Sequence, residues 1–520
     1  MPTLSAAGKY ERLTERRSSF LERARDAARV TLPFLIREND GPPTGSDQYA
    51  TPFQSVGARG VNNLAAKLLL ALFPPGSAFF RMSIDPTVAA KIVAEGAEGE
   101  IEEIETGLVL YENLIMNRFE SSNARPVLNQ TLKHLIVAGN ALLQTLKDGR
   151  LKMHPLHDYV VSRDNEGNIL EIIFREGFSR DSLPEAAGDI VRATPQEEVV
   201  DDNIWVYTRA YRDIGAKVWV SYQEVEGVEI PDTRFRTRLD TPPYLALRWN
   251  VADGEDYGRG QAEEYLGDLE SLESLSQSIV EFSAAAAKII FMVDETGVTE
   301  KRDIEYAESG EIVDGRAQDV SVLQLEKFND FRVAKETQAE IQGRLEQAFL
   351  LNSSIQRNAE RVTAEEIRFM AGELEQALGG VYSTLSQELQ RPLVKVIEAA
   401  LRRKGDLPKL KNVEPTIVTG LEGLGRQGDL MKLDLLISGI AQAFGPQAVA
   451  ENINVNSYVT RRAAALGLDV EGIVKSDEQR QAEAQAAQQA EMGKAMAGPA
   501  VQAAGGLAKE VAQQAPPQEA

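Results

Sequence analysis

Apolar residues recur every three or four positions through much of the chain, a spacing that predicts a mainly helical protein. Leu13, Phe20, Ala24 and Ala28 share one face of a segment over 8–31, and Pro33 closes it. Leu64, Leu68 and Leu72 do the same within TPFQSVGARGVNNLAAKLLLALFPPG (51–76), where Pro74, Pro75 and Gly76 stop the run. Ile101, Ile104, Leu108, Tyr111, Ile115 and Phe119 predict a helix over 101–119. Pro126 opens the next helix at its first turn, where a missing N–H costs nothing. The apolar run LIVAGNALL (135–143) is read as part of that helix.

The texture changes between 150 and 250. YVVSR (159–163) and ILEIIF (169–174) are β-branched runs on either side of DNEGN (164–168), a hairpin signal. IWVYTRAY (204–211), KVWVSY (217–222) and YLALRW (244–249) are also strand-like. Helical spacing returns over 259–285, at Leu266, Leu269, Leu272, Leu275, Ile279 and Phe282. A polar stretch (294–318), a strand-like VSVLQL (320–325) and a second long helix over 332–351 follow, the helix marked by Val333, Ile341, Leu345 and Phe349. Two long helices thus flank a compact insert, the pattern of a small subdomain held away from the body on a helical pair.

The next junction is closely specified. Thr363 and Glu366 form a capping box, Val362 can staple to Ile367, and Ile367, Met370, Leu374 and Leu378 make the buried stripe. Gly379 and Gly380 supply a left-handed stop. A further helix carries Val381, Leu385, Leu389 and Leu393, and Pro392 inside it predicts a kink or an early end. The polar segment NSSIQRNAER (352–361) lies between the helices and holds Arg357, Glu360 and Arg361; its plain reading is a solvent-exposed connection. Residues 427–475 read as short helices. Beyond about 477 the chain is Ala/Gln-rich and buries too little apolar surface to offset its ordering entropy. That tail is expected to lack order, or to order only against copies of itself.

Composition narrows the function. Asp and Glu number 79 against 56 Lys and Arg, a net charge of −23, which argues against a general cationic nucleic-acid binder. There is no cysteine, so disulfides, thiolate nucleophiles and Cys-based zinc sites are excluded. The best candidate for a membrane span, FSAAAAKIIFMV (282–293), is too short and contains Lys288. The start, MPTLSAAGKYERLTERR, lacks the apolar core of a signal peptide, so a soluble product made in the cytoplasm, with no membrane partner, is expected.

Catalytic signals are missing. No P-loop and no G-x-S-x-G elbow occurs, and GRG (258–260) and GLEGLG (420–425) read as turn glycines. HPLHD (154–158) places two His near an Asp without a third ligand, so no metal is assigned. EGAEGEIEEIE (95–105) reads as the solvated face of a helix. The chain is therefore expected not to be an enzyme and to need no cofactor. A hydrolase using buried carboxylates would need a raised carboxylate pKa in a closed pocket, which no motif announces.

Several separated blocks carry a resemblance. They are YATPFQSVGARGVNNLAAKLLLALFP (49–74), LIVAGNALL (135–143), DYGRGQAEEYLGDLESLESL (256–275), VSVLQLEKFNDFRVAK (320–335), AFLLNSSIQRNAERVTAEEIRFMAGELEQALGGVYSTLSQELQRPLV (348–394) and VEPTIVTGLEGLG (413–425). In order and spacing the chain resembles the portal proteins, or head-to-tail connectors, of short-tailed phages related to T7.

The resemblance implies an α+β, mainly helical portal fold assembled as a ring of twelve copies around a channel. It implies a wing over 1–256, with its β-rich part at 150–250, and over 343–430. The stem is implied at 257–283 and 318–342, the clip at 284–317, the crown at 431–480, and a tail at 481–520 that is unordered or forms a barrel. The implied function is passage of double-stranded DNA during packaging and ejection at one capsid vertex of the virion. The implied partners are the terminase large subunit, the tail adaptor, capsid and scaffolding proteins and internal core proteins. The segment 352–361 falls where the family has its tunnel loop, so Gln356, Arg357, Asn358, Glu360 and Arg361 are the candidate DNA-contacting residues. The alternative within the same setting is another head or tail structural protein, an adaptor or internal core component.

Overall fold

A left-handed glycine decides how the centre of the chain is built. In the computed structural model, Gly139 sits at a φ of +70° and caps α5 (Ala124–Ala138) by donating its N–H to the carbonyl of Leu135. LIVAGNALL therefore does not continue as a helix; from Asn140 it is strand β2 (Asn140–Thr145). A short apolar run carries no period that separates a buried strand from a buried helix. Packing settles it, because a Cβ on Gly139 would lie 2.5 Å from the backbone of Arg259. The Asn140 side chain donates to Gly258 O and accepts from Gly258 N, stitching the two segments together.

The structure describes residues 5–39, 41, 49–75, 78–94, 98–146, 148–193, 203–286, 290–323, 328–351, 364–407, 416–419 and 425–445, with a few positions between 447 and 462. Ahead of α5 come α1 (Ala6–Arg29), α2 (Val56–Leu72), β1 (Phe80–Ser83), α3 (Pro86–Ala94) and α4 (Glu98–Glu120). After β2 come β3 (Leu151–His154), β4 (Tyr159–Arg163), β5 (Ile169–Ser179), α6 (Glu185–Ala193), β6 (Asn203–Asp213), β7 (Val218–Val225), β8 (Val228–Glu229), β9 (Phe235–Arg238) and β10 (Tyr244–Arg248). The chain goes on through α7 (Gln261–Glu264), α8 (Leu266–Ala286), β11 (Ile290–Val293), α9 (Lys301–Tyr306), β12 (Val320–Leu323) and α10 (Phe328–Ala348). It closes with α11 (Ala364–Ala377), α12 (Val381–Leu385), α13 (Arg391–Lys404), β13 (Thr416–Thr419) and α14 (Gly425–Phe444). The fold is α+β and mainly helical.

Four of the strand-like runs (159–163, 169–174, 204–211 and 217–222) form one antiparallel sheet in the order β4-β5-β6-β7, with β8 and β9 both on the far edge of β7, whereas YLALRW becomes β10 of another sheet. Alternation along β5 assigns its faces. Ile172 and Phe174 join the main core, whereas Ile173 meets Tyr10 and Leu13 of α1 on the opposite face. Buried Arg17 fastens α1 there: its Nη1 lies within 3.0 Å of the carbonyls of Leu156, His157 and Tyr159 and of the Tyr10 hydroxyl. A second sheet, β10-β2-β3, backs onto α5. A third pairs β1 with β13, far apart in the sequence of the first compact unit, Met1–Gly425.

Three further expectations change. The helix read over 259–285 breaks at Tyr265 into α7 and α8. Ahead of Pro392 the helix changes its period rather than running on as one regular α-helix from Val381. A π-helical turn over Ser386–Gln390 precedes the proline, and its ring then occupies the first turn of α13, where no N–H is needed. The short helices read from 427 onward begin instead as one 20-residue helix, α14. That helix belongs to the second unit, Arg426–Ala520, where Asp434 accepts from Tyr458 and from Arg462. Gly379 and Gly380 adopt the left-handed stop, at φ of +58° and +92°. Among the described residues no helix is long and apolar enough to cross a membrane.

Candidate functional site

The candidate residues Gln356, Arg357, Asn358, Glu360 and Arg361 lie outside the described residues, as do Val362 and Thr363 of the capping box and the GLEGL of 420–424. The side chains of Glu366 and Ile367, and most of those in the acidic run 95–105, are also outside. What is described is the ground on either side of the polar segment.

On the near side α10 ends by curling over α2. Phe349 is fully buried and so close to Gly60 that a Cβ there would lie 2.6 Å from its ring. Leu350 takes a φ of +55°, a conformation that costs a non-glycine residue about 1–2 kcal/mol. Its carbonyl accepts from Lys67 Nζ at 2.6 Å and from Asn63 Nδ2 at 3.2 Å; Asn63 Nδ2 also reaches the carbonyl of Phe349 at 3.3 Å. Burial lowers the pKa of Lys67, against the pull of Glu373 on α11. On the far side α11 buries Met370, Ala371 and Leu374 and also packs on α2. One helix therefore seats both banks. The sequence reading missed Asn63 and Lys67. The signal was a cation inside the apolar run LAAKLLLAL, a residue that must find an acceptor if buried.

The predicted helical pair is present. α8 and α10 run antiparallel, joined by Asp268–Arg344 at 2.9 Å, Ser276–Gln338 at 3.0 Å and a stacked Phe282–Phe331 pair with centroids 5.2 Å apart. Glu273 of α8 accepts from the backbone N–H groups of Phe53 and Gln54, which anchors the arm at the foot of α2. At the outer end β11 and β12 form a ladder, and the insert beyond it is knit around Asp319. Asp319 Oδ2 accepts from the N–H groups of Val298 and Thr299 and from the Thr299 hydroxyl. The insert is otherwise open: Tyr306 and Ile312 are largely exposed.

The histidines are structural. His154 Nε2 meets Gln144 Oε1 at 2.9 Å, and His157 Nε2 accepts from Arg37 Nε at 2.9 Å, with Arg37 also paired to Asp158. Burial drives His134, His154 and His157 down to about 4, 3 and 2, with nearby cations adding to the fall at His154 and His157. A cavity of about 550 Å³ opens beside His134 and His157. Among the described residues no group of three or more His, Cys, Asp or Glu side chains could hold a metal ion.

Residues 4–474 match the family described as bacteriophage head to tail connecting protein. The chain is 44% identical over 484 residues to the portal protein of Enterobacteria phage T3, covering 92% of this chain and 89% of that one. It is 42% identical over 479 residues to the portal protein of Escherichia phage T7, covering 91% and 88%. It is 33% identical over 491 residues to the portal protein of Pseudomonas phage phiKMV, covering 92% and 94%. Among solved structures, a chain from the neck of an empty gene transfer agent particle is similar at 12% identity and a TM-score of 0.37, covering 80% of this chain and 90% of that one.

Proposed function

This chain belongs to the bacteriophage head-to-tail connecting proteins, and from that membership we propose that it is the portal of its virion. A ring of twelve copies sits at one capsid vertex, and double-stranded DNA passes through its channel during packaging and again during ejection. The observation that carries this reading is the 44% identity to a portal protein across 92% of the chain. The protein does no chemistry of its own. It is a passive conduit, made in the host cytoplasm, that docks the terminase large subunit and later the tail adaptor, and that contacts capsid, scaffolding and internal core proteins.

The same proposal assigns the parts. The wing comprises 1–256 and 343–430, and the arm of α8 and α10 lies within and beside the stem segments 257–283 and 318–342. The insert 284–317 is the clip, whose exposed Tyr306 and Ile312 suit a docking surface. The crown, 431–480, begins within the second compact unit, and 481–520 is the tail.

Gln356, Arg357, Asn358, Glu360 and Arg361 face the channel. Repeated around the ring, Arg357 and Arg361 make two cationic belts that hold phosphates without reading sequence. The remainder repels: each chain carries −23, so the duplex slides past an acidic wall. The test is electron microscopy of the purified protein, with native mass spectrometry on the same sample. A ring of about twelve copies with an open axial channel wide enough for a duplex is expected. A monomer or small oligomer without a channel overturns the reading.

A further inference from the structure

The outer half of the arm is unfinished in a single copy. Among the described residues nothing on α8 beyond Ser276 is buried, and nothing on α10 before Ile341. Val280 and Val333 are 53% and 59% exposed. The apolar surface continues onto the ladder at Phe291, Met292 and Val322. Apolar surface running this far along a two-helix arm marks an interaction site.

Charge indicates the occupant. α8 contains Asp268, Glu270, Glu273 and Glu281 and neither Lys nor Arg. The outer half of α10 exposes Glu336 and Glu340 but also two cations, Arg332 and Lys335. The Phe282–Phe331, Ser276–Gln338 and Asp268–Arg344 contacts fix the levels along the arm. By that register Glu281 stands level with Arg332, and Val280 with Val333. Within one copy these charges stay on their own helices: Gln277 donates to Glu281 at 2.8 Å, and Arg332 lies 3.9 Å from Glu336.

We infer that the α8 flank of one copy packs against the α10 flank of the next, with Glu281 facing Arg332 and Lys335 and Val280 facing Val333. The inference rests on the ring proposed above. Rotation about the ring axis keeps each residue at its own height, so level residues on opposite flanks of an upright arm meet between neighbours. The contact is heterologous, the kind that closes into a ring when the rotation permits.

The chain has no cysteine, so Val280→Cys combined with Val333→Cys introduces the only two thiols. Copper phenanthroline in air joins such thiols, with oxygen taking up both hydrogens. The expected result is a ladder of linked chains on a denaturing gel, climbing beyond the dimer, with no ladder from either single variant. Independently, Glu281→Arg should lower the fraction of chains in rings about tenfold, because like charges then oppose at every interface. Adding Arg332→Glu and Lys335→Glu should return it to within about twofold of the parent. If the parent forms rings while the paired thiols give no ladder and Glu281→Arg assembles normally, this interface is wrong and the ring reading stands. If the parent forms no ring, the ring reading falls and this inference with it.

Discussion

Lys67 Nζ lies 2.6 Å from the carbonyl oxygen of Leu350, a residue held at a φ of +55°. The bond crosses from α2 to the exit of α10 and compensates an unfavourable backbone conformation. Lys67→Met should lower the free energy of unfolding by about 1–3 kcal/mol, the range for losing a charged donor to a buried acceptor. A fall in the urea midpoint at unchanged slope is the readout; a midpoint equal to the parent's refutes the role.

The DNA-contacting role proposed for the polar segment predicts a separation of functions. Arg357→Ala with Arg361→Ala should leave ring assembly intact and impair packaging or retention of DNA. Losing phosphate contacts should also weaken the salt dependence of DNA binding to the ring. Normal packaging and retention in the double variant would sink the assignment.

Gly139→Ala should be among the most damaging small substitutions in the first compact unit. It forces an L residue to a φ of +70° and places a Cβ 2.5 Å from the backbone of Arg259. The left-handed strain and the overpacking together cost on the order of 3 kcal/mol. Thermal melts of the purified variant test this, and an unchanged melting temperature contradicts it.

Asp319→Ala should act locally. Its Oδ2 holds two backbone N–H groups and the Thr299 hydroxyl of the insert. Hydrogen exchange should quicken across 294–319, while α2 and α5 exchange as in the parent. Uniformly faster exchange throughout the chain would show that the insert is not an independent knot.

The three buried histidines should make the protein acid-sensitive above the carboxylate range. They hold pKa values of about 4, 3 and 2 against 6.5 in an exposed imidazole. As pH falls below 6.5 the unfolded chain takes up protons that the native chain refuses, so stability drops toward pH 4. Each histidine contributes up to about 1.4 kcal/mol per pH unit. His134→Gln should flatten that slope, as read from urea midpoints across the range, even if it lowers the midpoint at neutral pH. A slope unchanged in the variant removes His134 from the account.

Long periodic helices and the β4–β5 hairpin were legible because each repeats its signal over many residues. Gly139 was not, since a single residue ends one period and begins another. Nor were β1 and β13, four residues each, which pair with each other across most of the first unit's sequence. No local pattern encodes that pairing. The insert on its helical pair was readable from sequence. The seat of the polar segment was not, because Asn63 and Lys67 matter only through where α10 ends, and the spacing of apolar residues says nothing of carbonyls.

The closure of the body across the chain has a consequence for synthesis. The Tyr382 hydroxyl bonds to the carbonyl of Ala71, 311 residues earlier, and the Gln390 amide bonds to the carbonyl of Leu72, 318 residues earlier. At roughly 5–20 residues per second, a ribosome that has released α2 needs tens of seconds to deliver its far wall. The arm and insert are complete at Ala348, before the residues that close the hub around α2 have been made. A chain interrupted before Tyr382 is thus not a smaller subunit but one that lacks both closing bonds. Thread order alone leaves an immature copy open at its centre.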